Sequence, residues 1–204
     1  MGIMKLPSKR DYWRQKRWVF RTSFNQVMPR DRFFLIWRYL HLQDNERPNE
    51  VDKLWKMRWF IDFLSDRFMD TYTPEAQMTV DESMVKFKGR LGFRQYMPAK
   101  PIKWGIKVWA LCESATGYMV RYQIYTGKEG DQEHGLSHRV VKDLVKPFYG
   151  TYPEIYMDNF YTSPALLEDL YSHEVYACGT VSSDLPKRTT LLMQYGKIQK
   201  LSML

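Results

Sequence analysis

The chain has 204 residues, of which 44% are hydrophobic and 16% aromatic, so it can bury a substantial core and is not intrinsically disordered. Its formal net charge of +8 favours a polyanionic partner such as nucleic acid, although a basic protein without such a partner remains the alternative. No apolar run is long enough to span a bilayer, so we expect no membrane partner.

The cysteines and the first residues predict an intracellular protein. Cys112 and Cys178 both lie inside apolar stretches, which fits buried free thiols in a reducing compartment better than a disulfide. The first residues are basic and lack the apolar segment of a signal peptide. We expect a nuclear location, which suits the charge, and no small-molecule substrate.

Residues 1–72 are predicted to form a helical region that begins with a basic arm. Apolar residues recur at helical spacing in residues 29–42 and again in residues 52–72, with a polar loop between them. We expect the aromatic residues of both helices to lie in the core rather than to form a base-stacking surface. The arm, residues 1–30, is a candidate phosphate-contact segment because it holds one acid and eight cations: Lys5, Lys9, Arg10, Arg14, Lys16, Arg17, Arg21 and Arg30.

From Pro74 onward the hydrophobic period becomes that of an α/β domain. In the first predicted strand, Thr79 and Asp81 alternate with Met78 and Val80, so the two pairs should lie on opposite faces. The second and third strands are joined by a turn and should pair as a hairpin. The predicted order is strand, strand, strand, helix, strand, helix, strand, over residues 76–87, 104–113, 117–127, 135–150, 153–160, 163–174 and 175–181. This succession predicts a mixed sheet flanked by helices.

Two aspartates lie where this sheet could form a metal site. Asp81 is in the first strand and Asp158 ends the fourth, and a right-handed crossover can place these strands parallel and adjacent. The two carboxylates would then meet at one sheet edge, where hard divalent cations such as Mg²⁺ prefer to bind. The residues alone leave an alternative open, in which Asp158 caps the helix that begins near Ser163 and Asp81 is a solvated strand residue.

Between the aspartates, a basic segment at residues 86–107 contains aromatic residues and no acid. Its cations are Lys86, Lys88, Arg90, Arg94, Lys100, Lys103 and Lys107, and its aromatic residues include Phe87, Phe93, Tyr96 and Trp104. Such a segment beside a metal site can hold DNA phosphates during cleavage. The alternative is a solvated charged hairpin with its aromatic side chains in the core.

A second polar cluster, at residues 128–139, includes His134 and His138 at the i, i+4 spacing of a helix. A zinc site is the less favoured interpretation because Gly135 interrupts the segment and no cysteine is near in sequence. We expect a polar loop that enters a helix.

Two long stretches of the sequence resemble the piggyBac transposase family. They are "TVDESMVKFKGRLGFRQYMPAKPIKWGIKVWALCESATGYMVRYQIYTGK", residues 79–128, and "MDNFYTSPALLEDLYSHEVYACGTV", residues 157–181. The resemblance begins earlier, at "RDYW", and covers the chain from about residue 10. It implies a ribonuclease H-like catalytic domain entered through a helical dimerisation and DNA-binding region. Such domains cut and rejoin DNA with three aspartates and a divalent metal, Mg²⁺ or Mn²⁺.

The resemblance also assigns roles to residues. The first two family aspartates match Asp81 and Asp158, which are therefore expected to be catalytic and to bind metal. Glu82 belongs to the family pattern, but strand alternation predicts that its side chain lies on the opposite face from Asp81. The expected partners are DNA, as transposon ends, and a second copy in a homodimer. The residues expected to bind DNA are Arg90, Arg94, Lys100 and Lys103.

After residue 181 the sequence departs from the family pattern. Residues 182–204 contain one acid, Asp184, and nothing there matches the family's third aspartate or its cysteine-rich and histidine-rich zinc domain. We therefore expect a C-terminally truncated catalytic core at residues 73–181, followed by a divergent tail. Metal binding should then be weak and cleavage by this chain alone impaired. The alternative function is a non-catalytic, transposon-derived DNA-binding or oligomerisation remnant.

Overall fold

The computed structural model describes residues 4–14, 24–46, 49, 51–127, 135–181, 189–194 and 197–202. Three of the predicted features therefore lie partly or wholly outside the described residues: the arm residues Lys16, Arg17 and Arg21, the cluster residue His134, and Asp184 of the tail. The chain divides into two compact units, Met1–Trp59 and Phe60–Leu204. Among the described helices, none combines the length and the apolar character that a bilayer crossing requires.

The first unit is built from short helices. They are a 3₁₀ helix at Lys9–Trp13, α1 at Phe24–Val27, α2 at Arg30–Tyr39 and the first residues of α3, which spans Arg58–Thr71. The predicted helix behind Pro29 is confirmed as α2. The second predicted helix begins at Arg58 rather than at Asp52, because the Asp52 carboxylate accepts hydrogen bonds from the Leu54 N–H and the Arg58 guanidinium and holds the chain in turns.

The aromatic residues of α2 and α3 were expected in the core, and this prediction is wrong, because none of them is buried. Neither helix contains a buried residue, and the side chains of Trp37 and Trp59 are 52% and 60% exposed. Phe33 packs against Trp13 with ring centroids 4.9 Å apart, which is a local contact. Helical periodicity shows that one face of α2 is apolar, but the described residues of the first unit cover that face only in part.

Cations of the basic arm take part in local contacts of the first unit. Arg14 forms an ion pair with Asp11 at 3.0 Å, and the Lys9 Nζ lies 3.7 Å from the centroid of the Trp37 ring. A phosphate would therefore have to compete with these contacts. The arm remains a predicted phosphate-contact segment.

The second unit contains an eight-stranded mixed sheet, ordered β2-β3-β1-β5-β6-β7-β8, with β4 paired to β3. The strands are β1 (Gln77–Lys86), β2 (Gln95–Tyr96), β3 (Trp104–Glu113), β4 (Met119–Ile124), β5 (Glu154–Met157), β6 (Tyr176–Val181), β7 (Thr189–Gln194) and β8 (Lys197–Ser202). β3 and β4 form the predicted hairpin, and β1 is parallel to β5, as the crossover requires. The tail, for which no strand was predicted, supplies the antiparallel strands β7 and β8.

Two helices, α4 at Leu136–Val145 and α5 at Pro164–Ser172, pack against the sheet and close its main core. Ser163 caps α5 as predicted, since its hydroxyl accepts a hydrogen bond from the Leu166 N–H at 3.2 Å. Met78 and Val80 of β1 lie in this core, whereas Asp81 on the alternate face is exposed. The predicted α/β fold, a mixed sheet flanked by helices, is confirmed.

α3 begins the second unit and joins the sheet through tyrosines of β4 and of the residue before it. The Tyr122 hydroxyl donates a hydrogen bond to the carbonyl oxygen of Ile61 at 3.0 Å, and the Tyr118 hydroxyl donates one to that of Phe68 at 2.9 Å. The Phe68 ring lies 6.3 Å from the Tyr118 ring. Cys112 and Cys178 are free thiols that are partly buried, rather than fully buried as expected, and burial raises the pKa of each thiol.

Asp169 of α5 holds α4 and α5 together. Its carboxylate lies 2.7 Å from the His138 Nε2 and 2.8 Å from the Lys142 Nζ, both on α4. These hydrogen bonds, that of His138 first, hold the pKa of the Asp169 carboxyl below its usual range. His138, a partner in the less favoured zinc interpretation, is therefore engaged by a carboxylate.

A first prediction concerns the pH dependence of this contact. The pKa of Asp169 is lower in the folded than in the unfolded chain. The contact therefore stabilises the fold at a pH above the unfolded pKa of about 3.9. This stabilisation is lost as the pH falls through the folded pKa. We expect Asp169→Asn to lower the free energy of unfolding by about 1 kcal/mol at pH near 6. Urea unfolding should show this difference shrinking below pH of about 4.

The matched control is Asp143→Asn, which removes an exposed ion pair with Arg139 inside α4. We expect it to change the stability by less than about 0.5 kcal/mol. A loss from Asp169→Asn that stays constant as the solution is acidified would show that the carboxylate charge is not responsible.

A second prediction concerns Gly105, which pairs with Lys86 of β1 and Gln95 of β2. A Cβ at this position would lie 2.3 Å from the backbone carbonyl oxygen of Val85. We expect Gly105→Ala to destabilise the fold by about 1–3 kcal/mol, because backbone must move. Gly92→Ala, where a Cβ meets nothing within 4 Å, should stay within about 0.5 kcal/mol of wild type in the same thermal unfolding experiment. Equal stabilities would contradict this packing account.

Candidate metal centre and nucleic-acid interface

The parallel pairing of β1 and β5 brings Asp81 and Asp158 together. The last pair in the β1–β5 register is Val80 with Met157. Asp81 and Asp158 come directly after these two residues and therefore lie side by side. One carboxylate oxygen from each of Asp81, Glu82 and Asp158 lies within 4.8 Å of the other two. The predicted convergence of the two aspartates is confirmed, while their roles in metal binding and catalysis stay predictions.

Glu82 joins this cluster although its side chain lies on the opposite face of β1 from that of Asp81, as predicted. Strand alternation does place Glu82 on the face of Met78 and Val80. However, β5 ends at Met157, opposite Val80, so beyond this point β1 is paired only with β3 and its other side is open. The Glu82 carboxylate therefore lies near those of Asp81 and Asp158, which makes a cluster of three acids.

Asp158 holds a turn, and it does not cap α5 as the alternative interpretation required. Its carboxylate accepts a hydrogen bond from the Phe160 N–H at 2.9 Å, and its carbonyl oxygen accepts one from the Thr162 hydroxyl at 2.7 Å. Ser163 caps α5 instead. Asp81 is similar, since its carboxylate accepts the N–H of Glu82 at 2.7 Å. Both aspartates are exposed and anchored by backbone hydrogen bonds.

Lys100 neutralises part of the cluster. Its Nζ lies 3.0 Å from a Glu82 carboxylate oxygen and also donates a hydrogen bond to the Glu82 carbonyl oxygen at 3.3 Å. The hydrogen bond to Glu82 raises the pKa of Lys100, and the nearby charges of Asp81 and Asp158 act in the same direction. Lys100 was predicted to bind DNA, and in this structure its partner is a carboxylate.

Two further residues lie at the cluster: Lys107, which the sequence analysis counted only among the cations of the basic segment, and Tyr161, which it did not single out. Lys107 is half-buried, with its Nζ 5.4 Å from the Trp109 ring and 5.0 Å from the Phe160 ring, and burial lowers its pKa against the opposing charge of Glu82. The hydroxyl of the buried Tyr161 lies 3.5 Å from Glu82 and donates to it. Burial, followed by the charge of Glu82, raises the pKa of Tyr161, which keeps the hydroxyl protonated. The sequence did carry a signal for Lys107. It occupies an inward position of a strand, and a partly buried cation needs a nearby anion.

The other residues predicted to bind DNA lie on the exposed part of the basic segment. Arg90, Arg94 and Lys103 are all exposed, and the Arg94 guanidinium lies 4.7 Å from the centroid of the Trp104 ring. The basic segment thus presents cations to solvent next to the strand that carries Asp81. DNA contact by these residues stays a prediction.

Comparisons with known proteins place the chain in a family. A family model described as Transposase IS4 matches residues 1–202. Human piggyBac transposable element-derived protein 3 is 35% identical over 198 residues, which cover 93% of this chain and 33% of that protein. Human piggyBac transposable element-derived protein 2 is 29% identical over 196 residues, with the same coverage of 93% and 33%.

A solved structure agrees with these relatives. The cryo-EM structure of a piggyBac transposase synaptic complex with hairpin DNA matches 81% of this chain and 36% of that chain, with a TM-score of 0.72 and 33% identity. The chain spans about a third of the length of the two human relatives. Family model, relatives and structure agree with the resemblance found in the sequence, and the chain belongs to the Transposase IS4 family and, within it, to the piggyBac transposases and piggyBac element-derived proteins.

Proposed function

We propose that this chain carries part of the active site of a piggyBac-type transposase, which cleaves DNA and transfers strands with the help of a divalent metal. The observation that carries the proposal is the convergence of Asp81, Glu82 and Asp158, with carboxylate oxygens within 4.8 Å of one another. Oxygen-only donor sets of this kind fit hard cations such as Mg²⁺ and Mn²⁺.

The residues of the cluster suit such an ion. Asp81 and Asp158 would hold it, because both are exposed and their backbone hydrogen bonds fix the carboxylates in place. When bound, the metal would activate a water or sugar hydroxyl and stabilise the leaving oxygen of a phosphodiester. Lys107, half-buried beside the cluster, would offset the negative charge that an approaching phosphate adds.

The substrate in this proposal is DNA, in particular transposon ends. The similar piggyBac transposase structure holds hairpin DNA, and the exposed cations of the basic segment, including Arg90, Arg94 and Lys103, suit a phosphate backbone. The proposal includes a homodimer and a nuclear location, both of which follow from the family resemblance and the net charge.

A second candidate function is a non-catalytic DNA-binding remnant of a transposase. The ion pair between Lys100 and Glu82 favours it, because the cation occupies the third carboxylate of the cluster. The two functions differ in whether the bound DNA is cut.

A third prediction separates these functions. We expect the chain to bind Mn²⁺ weakly in a calorimetric titration and to nick hairpin-ended DNA slowly, and only when the metal is present. Asp158→Asn should lower both metal affinity and nicking by more than about 100-fold, since it removes a ligand. Asp143→Asn, which changes an exposed aspartate of α4, is the control and should leave both unchanged. DNA binding by a wild-type chain that neither binds Mn²⁺ nor nicks DNA would support the remnant and reject the enzyme.

A fourth prediction tests whether Glu82 is a third metal ligand. Because Lys100 competes with a cation for the Glu82 carboxylate, Lys100→Met should raise the Mn²⁺ affinity up to about fivefold. Lys103→Met removes the same charge from an exposed site and controls for the change in net charge. Equal affinities of the two variants would show that Glu82 does not bind the metal.

A further inference from the structure

The basic segment exposes a pair of aromatic rings at the edge of the sheet. Tyr96 of β2 lies directly opposite Trp104 of β3 in the register, and their ring centroids are 4.6 Å apart with an angle of 36° between the planes. Tyr96 is 53% and Trp104 is 50% exposed. About half of each large aromatic side chain is therefore open to solvent and available to a ligand.

The same segment shows that this exposure is particular to two of its aromatic residues. Phe93 is only 7% exposed and Phe87 is partly buried, as expected for aromatic side chains that close a hairpin against the core. The alternative considered from the sequence, in which the aromatic residues of the segment lie in the core, thus fits Phe93 and fails for Tyr96 and Trp104.

Positive charge surrounds the exposed pair. The Arg94 guanidinium lies 4.7 Å from the centroid of the Trp104 ring, in the geometry of a cation–π contact. A cavity of about 550 Å³ opens beside Trp104. It is lined by four cations and, among the described residues, by no carboxylate; the cations are Lys86, Lys88, Arg94 and Lys103.

These features define the chemistry of a ligand that would fit. The ligand needs a flat aromatic face for the rings and negative charge for the cations, and a nucleotide of DNA supplies both. Bases inside a paired duplex are stacked on one another, so away from the duplex ends only an unpaired base can offer its face to the rings. Protein aromatic residues that bind single strands stack bases in this way with little sequence preference.

The position of the pair relates it to the carboxylate cluster. Lys86, which pairs with Gly105 beside Trp104, follows Asp81 by five residues of β1, or about 17 Å of extended strand. A base on the rings and a phosphate at the carboxylates therefore belong to different nucleotides of one substrate.

We propose that Tyr96, Trp104 and Arg94 form a stacking platform for an unpaired base of the DNA substrate. The proposal rests on the proposed function, because it takes DNA as the substrate, and adds a requirement that the DNA be single-stranded near the cleavage site. Tyr96 and Trp104 supply the stacking faces, and the lysines of the cavity hold the adjoining phosphates.

The test compares two DNAs in a metal-free binding titration, so that cleavage plays no part. One is a duplex with a short single-stranded overhang, and the other is a fully paired duplex of the same length. We expect Trp104→Ala to weaken binding of the overhang DNA by about tenfold and to leave binding of the paired duplex unchanged. Trp104→Phe, which keeps an aromatic face, should restore most of the affinity and excludes misfolding as the cause. Tyr152→Ala, at a tyrosine that is 52% exposed, is the control and should bind both DNAs as wild type does.

The outcomes separate this proposal from the proposed function. An equal loss on both DNAs, or no loss on either, would overturn the platform even if Mn²⁺-dependent nicking is observed. A wild-type chain that binds neither DNA would overturn both the platform and DNA as the substrate. If the wild-type chain binds the overhang DNA but does not bind Mn²⁺, the proposed cleavage mechanism is overturned and the stacking platform is not.

Discussion

The parallel pairing of β1 and β5 is the constraint on which the candidate site depends. β5 ends at Met157, and this places Asp158 next to Asp81 although the two are far apart in sequence. The pairing is stable because Met78 and Val80 of β1 and Ile155 of β5 share one buried core with α4 and α5. Burial of that core thus holds together carboxylates that would otherwise repel one another.

The charges around the cluster compensate this repulsion. Lys100 forms an ion pair with Glu82, and Lys107 lies half-buried nearby, so the acids are partly neutralised by cations of the basic segment. The same segment extends to an exposed edge where Arg94 and Trp104 meet solvent. A polyanion that binds to these exposed cations would lie along the segment that also supplies Lys100 and Lys107 to the carboxylate cluster.

Sequence patterns predicted the elements whose signals are local. The α5 cap at Ser163, the helix α2 behind Pro29 and the β3–β4 hairpin all follow from residues within a few positions of one another. The wrong predictions share a physical cause. Each depended on side chains that are distant in sequence, which a local pattern does not report. The face of α2 that includes Trp37 is apolar, but periodicity cannot show that Trp37 stays half exposed in the folded chain.

The sequence by itself determined the α/β succession, the family and the positions of Asp81 and Asp158, because periodicity, caps and motifs are written in neighbouring residues. Only the tertiary structure decided that Glu82 joins the aspartates, since this depends on where a strand paired to β1 ends. It alone also showed that Lys100 binds a carboxylate and that Tyr96 and Trp104 face solvent together. These contacts join side chains across strands and loops, and their geometry arises only when the sheet assembles.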